Sequence, residues 1–446
     1  MTGFDTALSL DRSTVTTRHL RSAYPWHFDG GLNCPGPLIG VNLLAGRAPF
    51  TFDPFGLLDA ELASNPNVIV AGKPGVGKST IGKTVVWWCV GAFGYRFVAV
   101  DPKGEYRSLA EALGVSVIQL HPGGQSRVNP LASDGSTEAS RSRLRFVTAL
   151  ASVLLGRSLN GLEHAVLEDM VAWVASYRAV PILADLLDAL RDPPDYVCRE
   201  LAKDRDAILA GTDELRFRLR GLVTGAQAGM FNGHTNVNID TSRGVVIDLS
   251  GTGTDDELLR LAMLAGQRTV EQLRTAAPGR TIMLNDETWR LGTTADTVRW
   301  LQHSWKLGRQ HGTSNWALVH RLSDLGNQAD DGTSLAKIGK GLIGDSDTHI
   351  LFRQGTQSDA VHACDELQLP PACREVLTRL PKGRALIHCQ GRLAVVDVGL
   401  SSTLEALTFT NGASAWSPPI GSKAQPSQAD SRVSRTRKDE IFAAHE

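Results

Sequence analysis

The octet Gly72-Lys73-Pro74-Gly75-Val76-Gly77-Lys78-Ser79 constrains this chain more than any other stretch. Its spacing is G-x-x-x-x-G-K-[ST], and each residue type has a physical task. Glycines let successive backbone N–H groups turn inward around a phosphate. The lysine supplies a point charge to the outer phosphate oxygens, and the serine hydroxyl is placed to ligate Mg²⁺. A helix opening at the lysine aims its N-terminal dipole at the same anion. The flanks fit: Val68-Ile69-Val70-Ala71 reads as a buried strand, and Ile81, Val85, Val86 and Cys89 recur at helical spacing until Gly91. Thr80, next to Ser79, reads as an α-phosphate contact. The octet therefore predicts a bound nucleotide, ATP with Mg²⁺.

Strand and helix signals alternate beyond the octet. Strands are expected at 97–100, 115–120, 245–248, 281–285, 316–319 and 348–352, with helices at 109–113 and 258–273 among them. That alternation predicts an α/β fold with a mostly parallel sheet covered on both faces. Between about 136 and 225 the strand signal vanishes. Leu144, Val147, Leu150 and Leu154 share one helical face, as do Leu162, Val166 and Met170, and Pro181 is read as the first turn of another helix. The division expected is an N-terminal arm (1–45), a first core part (46–135), an all-helical insertion (136–225), a second core part (226–408) and a flexible basic tail (409–446).

Hydrolysis needs more than a phosphate loop: a carboxylate behind the Mg²⁺ and a base for water. Thr281-Ile282-Met283-Leu284-Asn285-Asp286-Glu287 offers both at the end of an apolar strand. Asp286 is assigned to Mg²⁺ through its water ligands, and Glu287 to orienting and deprotonating the attacking water.

Composition narrows the class further. The formal net charge is -1, so no basic balance announces nucleic acid as the main ligand. Six cysteines are scattered without a C-x-x-C pair, which argues against a zinc or disulfide framework and fits a reducing compartment. The opening residues lack the apolar core of a signal peptide, and the most apolar run, Thr84 to Phe93, is far short of a membrane span. A cytoplasmic protein is expected, held at the inner face of a membrane only through partners.

Several short motifs follow the octet in order: Val100-Asp101-Pro102-Lys103-Gly104-Glu105-Tyr106, Val128-Asn129-Pro130-Leu131, Asp286-Glu287-Thr288-Trp289 and Arg321-Leu322-Ser323-Asp324-Leu325. Together they make the chain, from about Gly40 to Leu400, resemble the FtsK–HerA superfamily, and within it the VirB/TraC-like ATPases of type IV secretion and conjugation. The resemblance implies a RecA-like P-loop NTPase core with the inserted all-α subdomain, a hexameric ring or dimers on the way to one, and nucleotide at subunit interfaces. It also implies charge-stabilising roles for Arg309 or Arg353, from the same or the neighbouring subunit. At His320 the family usually carries a glutamine that senses the γ-phosphate. Asp101 and Glu105 are assigned either a structural or a Mg²⁺-positioning role. Family members commonly carry a long N-terminal domain that docks on the membrane channel, whereas only about forty residues precede the match here. A membrane-associated channel protein, or that domain as a separate polypeptide, is the implied partner.

Three functions follow as expectations. The first is a Mg²⁺-dependent ATPase motor for conjugative secretion. The second is a DNA translocase or coupling ATPase, with Arg216, Arg218 and Arg220 as its basic cluster and DNA as a partner. The third is a nucleotide-binding scaffold that hydrolyses nothing, against which Lys78, Ser79, Asp286 and Glu287 argue together.

Overall fold

In the computed structural model the apolar strands assemble into one eleven-stranded sheet, in the order β2-β1-β11-β10-β9-β3-β8-β7-β4-β6-β5. The structure describes residues 32, 34–132, 137–225, 227–237, 242–252, 255–276, 279–286, 294–325 and 341–408. The strands are β1 (Leu38–Asn42), β2 (Ala48–Thr51), β3 (Val68–Ala71), β4 (Arg96–Asp101), β5 (Ser116–Gln119), β6 (Gly244–Asp248), β7 (Thr281–Asp286), β8 (Thr313–Val319), β9 (Thr348–Leu351), β10 (Arg384–Cys389) and β11 (Arg392–Val398). From β9 to β5 every neighbouring pair is parallel. The β10, β11, β1 and β2 flank is antiparallel.

The parallel strands are buried on both faces, and the period of two divides their side chains between two cores. Val68, Val70, Phe97, Ala99, Ile282 and Leu284 pack with the helices α1 (Pro54–Asp59), α2 (Lys78–Phe93) and α3 (Arg107–Leu113). Ile69, Ala71, Val98, Val100 and Met283 point the other way, into a core shared with α4 (Thr137–Leu155), α10 (Asp256–Ala276) and α11 (Ala295–Lys306). Each fully buried aliphatic side chain contributes roughly 1.5–3 kcal/mol, so the strands can hold their register without polar side-chain pairing.

Between β5 and β6 the described chain holds only helices: α4, α5 (Gly161–Tyr177), α6 (Leu183–Arg191), α7 (Asp195–Glu200), α8 (Arg205–Gly211) and α9 (Asp213–Thr224). Asn160 starts α5 through a capping box. Its side chain accepts from Glu163 N at 2.9 Å, and Glu163 accepts from Asn160 N at 2.9 Å. The reading of Pro181 as a first helical turn is corrected: α6 begins at Leu183, and the Pro181 carbonyl instead accepts from Asn129 Nδ2 at 2.9 Å. The remaining described helices are α12 (Gln357–Glu366), α13 (Ala372–Arg379) and α14 (Ser402–Thr408). No helix among the described residues is long and apolar enough to cross a membrane.

The strand β1 falls inside residues 1–45, the stretch read above as an arm, and pairs with β11. All six cysteines are free.

Candidate functional site

Parallel pairing puts the C-terminal ends of β3, β4, β6, β7, β8 and β9 along one edge of the sheet, and register decides which residues meet there. Ala71 lies opposite Val319 and Leu351, so Gly72, His320 and Phe352 emerge side by side. Asp286 lies opposite Leu318 of β8. Val100 lies opposite Asn285, and Asp101 opposite Asp248. Thus β8 separates the phosphate-loop strand from the acidic strand and sets His320 between them.

Residues 72–79 leave β3, turn, and enter α2 at Lys78. Gly77 has φ 119°, a region closed to residues with a Cβ, and a Cβ there would stand 3.2 Å from the Phe352 ring. A Cβ on Gly72 would lie only 2.6 Å from the Phe352 Cβ. The loop is fastened on both sides: Lys73 N donates to Arg353 O at 3.1 Å, and Gly383 N donates to Val76 O at 2.9 Å. Lys78 is buried; its ammonium donates to Gly72 O at 2.7 Å and Lys73 O at 3.2 Å, and lies 3.3 Å from His320 Nδ1. Ser79 and Thr80 follow in the first turn of α2, where backbone N–H groups have no intrahelical acceptor. This cradle, with the buried Asp286 carboxylate across β8, has the donors to receive a nucleotide phosphate, and Ser79 and Asp286 are the residues that could hold an accompanying Mg²⁺.

Asp101 proves to be a loop clamp. Its carboxylate accepts from Tyr106 N at 2.7 Å, Glu105 N at 3.0 Å and Lys103 N at 3.3 Å, which folds the Asp101–Tyr106 segment back on the strand end. Burial raises its pKa, and these backbone donors oppose the rise. Beside it, Asp248 is buried and bridged to Arg107, with Ser250 N donating at 2.9 Å. Burial works against the Asp248 charge, but the Arg107 and Ser250 hydrogen bonds win and hold its pKa below the usual value.

Two further residues escaped the sequence reading. Lys83 lies one helical turn beyond Ser79 on the same face of α2, almost fully buried, and its ammonium has no hydrogen-bond partner among the described residues. Burial lowers its pKa, opposed by the charges of Glu105, then Asp101, then Asp286. The Tyr106 ring receives it at 5.5 Å from ammonium to centroid. Tyr106 is wholly buried, its hydroxyl lies near Ser79 without meeting hydrogen-bond geometry, and burial raises its pKa, followed by Asp286, Asp101 and Glu105. The signal was available: i, i+4 spacing from Ser79 puts Lys83 toward the same strand ends.

The remaining sequence-derived residues divide. Arg353 is exposed beside the loop it fastens. Arg309 is a correction to any role within its own chain. It precedes β8 and donates to Ser64 O at 3.3 Å, at the opposite edge of the sheet, about 20 Å of strand away from the phosphate loop. Glu287, with Thr288 and Trp289, lies outside the described residues.

A glycine-turned phosphate loop after a central parallel strand, with an acidic strand end two strands away, defines the RecA-like P-loop fold. Known structures agree. The chain is similar to VirB4 of Thermoanaerobacter pseudethanolicus, with a TM-score of 0.66 and 19% identity over 84% of this chain and 100% of that one. It is also similar to the bacterial conjugative coupling protein TrwB lacking its first 70 residues, at TM-score 0.57 and 15% identity over 82% of this chain and 89% of that one. TrwB in complex with ADP and Mg²⁺ gives TM-score 0.54 and 15% identity, over 75% and 86%. At these identities the likeness concerns the fold. No protein-family model and no curated protein matches the chain.

Proposed function

We propose that this protein is a Mg²⁺-dependent ATPase motor of a conjugative or type IV secretion apparatus. The observation that carries the reading is the convergence of Lys78, Ser79, His320 and Asp286 on one edge of a RecA-like sheet, with Glu287 next in sequence. The likeness to VirB4 and to TrwB, the latter also found with an ATP analogue and a GTP analogue, supports the setting.

In this reading the loop N–H groups and Lys78 bind the β- and γ-phosphates, and Thr80 contacts the α-phosphate. Mg²⁺, when bound, neutralises charge on the β- and γ-oxygens. Ser79 and Asp286 are the residues that would hold it. Glu287 takes a proton from the attacking water, and His320, hydrogen-bonded near Lys78, contacts the γ-phosphate. Arg353 supplies further positive charge from the same chain, and Arg309 only from a neighbouring copy. The assembly is a homo-oligomer, a hexameric ring, engaging a membrane-associated channel protein.

The test is steady-state hydrolysis by the full chain and by Glu287→Gln, with and without single- and double-stranded DNA. Turnover that vanishes in Glu287→Gln and ignores DNA supports the motor. Strong stimulation by DNA favours a coupling ATPase of the TrwB kind. Turnover unchanged by Glu287→Gln overturns the assignment of the base.

A further inference from the structure

The helical segment between β5 and β6 exposes two aromatic faces of opposite charge. On α9, Phe217 is 70% exposed, and Arg218 and Arg220 flank it on the surface. Neither arginine forms an ion pair with a described residue, whereas the neighbouring Glu214 is taken by Arg157 at 2.8 Å. A phenyl ring so placed gains nothing from its own fold, and an aromatic ring set among arginines is what protein contact surfaces are enriched in.

The second face is built from two stripes at i, i+4 spacing. Asp169, Trp173 and Tyr177 run along α5, and Tyr196 and Glu200 along α7. Trp173 packs edge-on against Tyr177 at 5.7 Å and, tilted, against Tyr196 at 5.6 Å, yet Trp173 and Tyr177 remain 39% and 52% exposed. Glu168, Asp169 and Glu200 rim this shelf, and no described cation pairs with them. Burial and then the charges of Glu200 and Glu168 raise the Asp169 pKa, the mark of an uncompensated acidic rim. The shelf already accepts a guanidinium: Arg178 lies over the Tyr177 ring at 5.9 Å.

Each face supplies what the other lacks. Guanidinium groups stack on Trp and Tyr and pair with carboxylates in one geometry. We propose that the two faces meet between copies of this chain, α9 of one copy docking Phe217, Arg218 and Arg220 on the α5–α7 shelf of the next. Both halves of the complementary pair are present in every copy in equal number, and the net charge of -1 sets no bulk repulsion against assembly. Because the faces differ, the contact is head-to-tail and propagates to a ring or an open array rather than stopping at a two-fold dimer. This inference stands independently of the ATPase reading.

The test uses sedimentation velocity on the full chain and two surface variants. One erases the basic face (Phe217→Ser, Arg218→Ser, Arg220→Ser), and the other erases the shelf rim (Tyr177→Ser, Glu168→Gln, Glu200→Gln). The wild type is expected to form assemblies that weaken with salt, and each variant alone to associate roughly 100-fold more weakly. Mixed in equal amounts, the variants retain one good junction and should form a two-copy complex that grows no further. Should the basic-face variant lose its far-UV spectrum, Arg218→Glu with Arg220→Glu serves in its place, and should the shelf variant do so, Glu168→Lys with Glu200→Lys, each pair confined to exposed side chains. A monomeric wild type, a variant that assembles like the wild type, or a mixture that fails to pair overturns the proposal.

Discussion

The ammonium of Lys83 lies 5.5 Å from the centroid of the Tyr106 ring, and neither the ammonium nor the phenol finds a hydrogen bond among the described residues. A cation–π contact is thus its one described direct contact of that kind, one turn behind the serine that is proposed to hold Mg²⁺. Fully burying an amine without a partner is expensive. Lys83→Met keeps the length of the side chain and removes the charge, so it should raise stability by about 1–3 kcal/mol at neutral pH, seen as a higher urea midpoint with an unchanged slope. The sign with pH follows from the lowered pKa. Between the folded-state pKa and the ordinary lysine value the unfolded chain binds more protons, so wild-type stability should rise with pH there and the gap to Lys83→Met should close. A gap independent of pH would remove the ammonium from this account.

Asp101 separates a clamp from a metal ligand. As the acceptor of three backbone donors, Asp101→Ala should cost about 2–4 kcal/mol, measured by denaturant unfolding without nucleotide or Mg²⁺. Asp101→Asn retains one acceptor oxygen and should cost less. If instead both variants keep wild-type stability and lose only Mg²⁺ dependence, the loop is not held as described.

His320 stands 3.3 Å from Lys78. His320→Ala should lower kcat by roughly 10- to 100-fold with a smaller change in KM, as expected for a group that acts on developing charge more than on binding. His320→Gln, which keeps a donor, should recover most of the loss in steady-state hydrolysis assays.

Acid should unfold this protein partly through its antiparallel flank. His349 of β9 faces His388 of β10 across the ladder, rings stacked at 5.8 Å, and both are buried enough to favour the neutral form. Burial, then the charge of His388, brings His349 down to about 4 from 6.5. The unfolded chain therefore binds more protons below 6.5, and stability present at neutral pH is lost as pH falls from 6.5 through 4, by about 3 kcal/mol at the limit. His349→Phe should flatten this slope in thermal melts between those pH values. An unchanged slope would locate the acid sensitivity elsewhere.

What the sequence revealed tracks what is local. The octet, the apolar run before it and the i, i+4 face after it are decided by neighbours within a few residues, and the loop and α2 follow them. The parallel strands could be found because burial on both faces makes them continuously apolar, as in Val68–Ala71. The β10–β11 hairpin could not. Its turn places Gln390 and Gly391 both at positive φ, 47° and 77°, and glutamine is a poor advertisement for such a turn. Arg309 lies away from the phosphate loop of its own chain for a topological reason: the sequence sets it near an acidic strand, while strand direction puts it at the other edge of the sheet. Lys83 needed two long-range facts, that α2 packs against the ends of β4 and β7, and that no carboxylate among the described residues forms an ion pair with its ammonium. Pairings across such distances are set by sheet order, which no local spacing encodes.

The hydrogen bond from Gly383 to Val76 has a mechanical meaning. Gly383 in turn accepts from Val398 N at 3.0 Å, and Gly399 N donates to Ile39 O at 2.9 Å, so a train of backbone bonds runs from the phosphate loop to β1. The phosphate loop is in this way tied by main-chain hydrogen bonds to the antiparallel flank of the sheet. Under the proposed ATPase reading, this is the route by which a shift of the loop would reach the antiparallel strands.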